Sequence, residues 1–71
     1  MRAPSLTIGE KHLVELLEPM ARRTGDRVRY VSLLDAVDWD DFRYPEIMVA
    51  FEGLVKKKRI ARDEVFVTRL W

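Results

Sequence analysis

The stretch "YPEIMVAFEGLVKKKRIARDEVFVTRLW", residues 44–71, decides how the rest of the chain is read. Ile47, Ala50, Phe51, Leu54 and Val55 fall at the spacing of one apolar helix face. Pro45 suits the first turn, where its missing N–H was without a partner anyway. The helix is expected to run from Pro45 to Lys58. Gly53 lies inside it at a cost of about 1 kcal/mol relative to alanine; it either allows a close backbone contact or has no role. Beyond the bases Lys56, Lys57, Lys58 and Arg59, the segments "RIA" (59–61) and "VFVTRL" (65–70) can pair as a hairpin across "RDE". Phe66, Thr68 and Leu70 share one face of the last strand, and Val65, Val67, Arg69 and Trp71 share the other. Period alone does not say which face is buried.

Working back toward the start, "TIGE" (7–10) is a helix start, with Thr7 as cap and Glu10 placed to return the bond. Leu13, Leu16, Leu17, Met20 and Ala21 follow as one apolar stripe. Gly25 is the expected stop, with Arg22 and Arg23 favourable to the helix dipole. Pro19 cannot donate to the carbonyl of Glu15, which predicts a kink near Glu18 or a break. "RVRYV" (27–31) alternates as a short strand, and its "RYV" end is the expected third partner of the hairpin. "SLLD" (32–35) has the form of a second capping box, opening a helix that ends near Val37. Trp39 and Phe42 in "DWDDFR" are expected to pin the turn before the third helix.

The 71 residues allow one domain, 1–71, with 48% apolar residues, enough for one compact core. There is no cysteine and one histidine, His12, so disulfides and thiolate metal sites are excluded and no zinc cluster is expected. No cofactor and no metal ligand set is expected. No apolar run reaches transmembrane length. "MRAPSLTIGEKH" lacks the apolar core of a signal peptide, so a cytoplasmic location is expected. The net charge is +1, but it is unevenly spread. Residues 35–52 carry six acids against Arg43 alone, whereas residues 53–71 carry six bases against Asp63 and Glu64.

The order helix, strand, helix, helix, strand, strand resembles a winged helix-turn-helix domain. The likeness rests on Ile47, the pair Ala50–Phe51, the pair Leu54–Val55, and Ile60 after a basic turn, with Leu33 and Leu34 in the second helix. It covers nearly the whole chain. Members often have glycine where Lys58 or Arg59 stands. The resemblance implies an α+β fold of three helices and a small antiparallel sheet. It also implies a third helix placed to enter the DNA major groove and a hairpin that touches phosphates or the minor groove.

Two functions follow from different classes. The first is a small DNA-binding protein, a transcriptional regulator acting as a dimer. Lys56, Lys57, Arg59 and Arg62 would hold phosphates, Tyr44 would add a phosphate bond, and Arg43, Glu46, Val49 and Glu52 would supply any base reading. Against it, the first half of the third helix offers acids and apolar side chains, and Asp38, Asp40 and Asp41 precede it. The second is a non-catalytic protein-interaction module, docking through Met48, Val65, Val67 and Trp71 or through the third helix. Arg22, Arg23, Arg27 and Arg29 form a further basic group. Catalysis is not expected. There is no nucleophile–histidine pattern, no P-loop and no glycine-rich dinucleotide turn.

Overall fold

The computed structural model describes residues 5–71. The reading of the first twelve residues as lacking a leader rests in part on residues 1–4, outside that range. The elements are α1 (Ile8–Thr24), β1 (Arg27–Arg29), α2 (Tyr30–Ala36), α3 (Tyr44–Lys56), β2 (Ile60–Arg62) and β3 (Phe66–Arg69). The fold is α+β, three helices and one antiparallel three-stranded sheet in the expected order. Strand order is β1-β3-β2, so the first strand completes the sheet against the last. Val28 faces Val67, and Arg62 faces Val67 from the other side.

Helix α1 starts as its sequence requires. Thr7 Oγ1 accepts from the Glu10 amide at 3.2 Å, and Glu10 Oε1 accepts from the Thr7 amide at 2.8 Å. It ends on Gly25, whose φ of 72° is a left-handed cap. The helix passes through Pro19 unbroken. Pro19 is exposed, so the Glu15 carbonyl it leaves unpaired lies on the solvent side, while Leu17 and Ala21 hold the turns around it in the core.

Helix α2 departs from the sequence pattern. It begins at Tyr30, two residues before the expected cap, and the Ser32–Asp35 box does not form. The strand runs directly into the helix because the Tyr30 amide donates to the Val65 carbonyl at 2.8 Å, and the Tyr30 ring packs on Phe51 at 5.2 Å. Two long-range anchors override a local capping preference. The next turn is pinned as expected: Trp39 Nε1 donates to the Leu34 carbonyl, and Phe42 stacks on His12 at 4.6 Å. His12 Nε2 also accepts from the Asp38 amide.

The core joins Leu13, Leu17 and Ala21 of α1 to Leu33, to Ile47, Ala50, Phe51 and Leu54 of α3, and to Val28, Ile60 and Val67 of the sheet. Val67 is 0% exposed. The expectation that it belongs to a partner-facing surface is therefore corrected: its face of β3 is the one that meets Val28 and the helices. Among the described residues no helix is long and apolar enough to cross a membrane.

Candidate nucleic-acid interface

Helix α3 lies beside the β2–β3 hairpin, and the surface between them brings together three of the residues singled out in the sequence, Glu52, Lys56 and Arg62. Lys56, Glu52, Val55 and Arg62 line a shallow cleft of about 370 Å³. The Arg62 guanidinium carbon lies over the Tyr30 ring, 4.2 Å from its centroid, with the Phe51 ring 5.5 Å away. These contacts position the charge while leaving Arg62 exposed. Lys58 is exposed and Arg59 half-buried on the turn that leaves α3. None of Lys56, Lys58, Arg59 and Arg62 has a carboxylate within ion-pair distance among the described residues.

Lys57 has a different environment. Its ammonium donates to Glu10 Oε1 at 2.6 Å and to the Ser5 carbonyl at 2.9 Å. Glu10 is 2% exposed. The same oxygen takes the Thr7 amide, so one carboxylate closes the α1 cap and receives the end of α3. A Cβ on Gly53 would overlap Glu10 Oε2. Gly53 is thus the close-contact glycine, and it leaves room for the carboxylate. Burial pushes the Glu10 carboxyl up, but the Lys57 hydrogen bond and charge, with the Thr7 bonds, outweigh it and hold the carboxyl below its ordinary 4.5. Lys57 was expected on phosphate; here its donors already serve Glu10 and Ser5.

The first half of α3 is polar at its start and apolar beyond. Glu46 accepts from the Arg43 amide at 3.1 Å, which leaves the Arg43 side chain exposed at the helix entrance. Tyr44 is 58% exposed and stacks on Trp39 at 6.2 Å. Val49 is 67% exposed, whereas Met48 is half-buried with its sulfur 3.3 Å from the Tyr30 hydroxyl. Val65 and Trp71 are exposed beside the sheet. Arg69 pairs with Asp26 and does not join the basic cluster. The hairpin turn is acidic. Asp63 accepts from the Val65 and Phe66 amides, and those backbone bonds hold its carboxyl below the usual range.

A second basic surface lies around β1. Arg23, Arg27 and Arg29 rim a cleft of about 410 Å³ floored by Met20, Val28 and Phe66. The sequence showed this charge group but not the apolar floor, because the floor joins α1 to β3. Among the described residues no group of three His, Asp or Glu side chains is arranged to hold a metal ion. No protein-family model, curated protein or solved structure matches the chain.

Proposed function

We propose that this chain is a winged-helix domain that binds double-stranded DNA by its phosphates, without catalysis. Lys56, Lys58, Arg59 and Arg62 carry the contact. The observation that supports this most is their placement at one end of α3 and on the adjoining strand, without carboxylate partners among the described residues. Tyr44 and Arg43 stand at the other end of the helix, where the chain can meet a second phosphate run. Between them Val49 and Glu52 offer no bidentate base contact, so the binding is weakly selective among sequences. A transcriptional role would then need a second source of selectivity.

Titration of a labelled mixed-sequence duplex tests this. With about three phosphates neutralised, affinity falls about 40-fold between roughly 50 and 200 mM salt. Absence of binding at the lower salt, with the protein folded, would overturn it.

A second reading is favoured by one observation. Val49 and Val55 are both exposed on α3, flanking Glu52. An apolar stripe with a central acid suits a protein partner better than a phosphate backbone. Under this reading Val49→Asp abolishes partner binding, as a pull-down with the partner measures.

A further inference from the structure

The cleft rimmed by Arg23, Arg27 and Arg29 is positive on its edge and apolar on its floor. None of the three arginines has a carboxylate within ion-pair distance among the described residues, since Asp26 is held by Arg69 and Glu18 by Arg22. Arg27 lies over the Phe66 ring at 4.0 Å, and its charge reaches Asp63. Ser32 of α2 also lines the cleft. At the far end of α2 the character inverts. Asp35, Asp38, Asp40 and Asp41 are exposed and lie within four residues of Trp39 in the chain, and Trp39 is itself half-exposed and fixed by its bond to Leu34 and its stack on Tyr44. These four carboxylates also lack cationic partners among the described residues.

The two patches complement each other. One sets three arginines around Met20 and Phe66, and the other sets a held, half-exposed tryptophan in an exposed acidic segment. They sit at the two ends of a seven-residue helix, about 10 Å apart at 1.5 Å per residue. Ser32 and Asp35, three residues apart, lie on one side of that helix. A single copy cannot bring its own two ends together. A second copy turned by a two-fold axis meets both at once, because an isologous contact repeats each pairing.

We propose that the chain forms a two-fold homodimer across α2, in which the Arg23–Arg27–Arg29 cleft of each copy receives Trp39 and its flanking aspartates from the other. Tryptophan and arginine are the side chains that most often anchor such contacts. The surface is small and charged, so the dimer is weakened by salt. It does not use Lys56, Lys58, Arg59 or Arg62, although Trp39 stacks on Tyr44 at the other end of α3.

The test is a charge swap read by sedimentation equilibrium without DNA. One variant carries Arg23→Glu and Arg29→Glu, the other Asp35→Lys and Asp40→Lys. None of these side chains makes a hydrogen bond to another part of the described fold, and circular dichroism checks that both variants are folded. The wild type dimerises in the micromolar range, more weakly at about 500 than at about 50 mM salt. Each variant alone loses at least about tenfold in self-affinity. An equimolar mixture of the two regains a heterodimer near wild-type affinity. Should either double variant unfold, the single changes Arg23→Glu and Asp40→Lys carry the same expectation at smaller size. A wild type that stays monomeric at low salt overturns the proposal. So does a dimer indifferent to the reversals, or a mixture that does not recover.

Discussion

Lys56 and Lys57 are neighbours in sequence and opposites in structure. Lys56 faces solvent at the mouth of the α3–β2 cleft with no anionic partner among the described residues. Lys57 turns the other way, onto a buried glutamate at the start of α1. The helical turn of about 100° per residue separates them, and their environments then give the same ammonium different work. Lys57 joins the two ends of the fold. Lys56 is left over for a partner. A run of like charges is therefore not one surface, and only the residues that the helix turns outward can bind anything.

The largest expected effect breaks the inner half of that comparison. Lys57→Ala leaves Glu10 buried without its counter-charge, at a cost of about 3 kcal/mol, while Lys56→Ala changes stability by less than about 0.5 kcal/mol. Urea denaturation of both variants measures the contrast, and equal losses would mean that the Glu10 contact contributes nothing special.

Gly53 sharpens the same point. Gly53→Ala ordinarily gains about 1 kcal/mol in a helix. Here the added Cβ meets the Glu10 carboxylate, which Lys57 and Thr7 hold in place, so the change destabilises by about 1–2 kcal/mol. With Glu10→Ala already present the obstruction is gone, and Gly53→Ala turns stabilising. A double-mutant cycle in urea reads this reversal of sign, and additive effects would contradict it.

The pH dependence follows from the direction of the Glu10 shift. Its folded value lies below the ordinary 4.5, so between the two values the unfolded chain binds more protons than the folded one. The stability contributed by the pair is complete above the ordinary value and is lost as pH falls through the folded one. Denaturant midpoints for the wild type therefore drop below about pH 4.5, and Lys57→Ala flattens that acid limb.

The smallest effect lies on the outer side. Lys58 holds a φ of 59°, the left-handed conformation that glycine adopts without strain. Lys58→Gly is expected to stabilise by up to about 1 kcal/mol, raising Tm by about 4–8 °C in a domain of this size. It also removes one of the proposed phosphate contacts, so thermal melting and DNA titration move in opposite directions.

The left-handed conformation of Lys58 was not legible, because a lysine gives no local sign of a positive φ. The helix boundaries of α1 and α3 were legible because Thr7, Glu10, Gly25 and Pro45 act locally. The start of α2 was not, since the Val65 carbonyl and the Phe51 ring that fix Tyr30 lie far along the chain. The buried side of β3 was ambiguous because both faces are apolar, and Val28 across the sheet decides it. For the candidate site, charge type was legible and charge availability was not. Nothing near Lys57 announces a partner 47 residues away. The only hints were Glu10 in a capping role and a glycine in mid-helix, two separate oddities that one contact explains.

The most direct test of the account is the salt dependence of duplex binding for the wild type and for Lys56→Ala/Arg62→Ala, measured by fluorescence anisotropy. The double variant is expected to weaken binding to all sequences alike and to lower the slope of log affinity against log salt by about 2. A slope unchanged from the wild type would contradict it and move the contact away from the α3–β2 cleft.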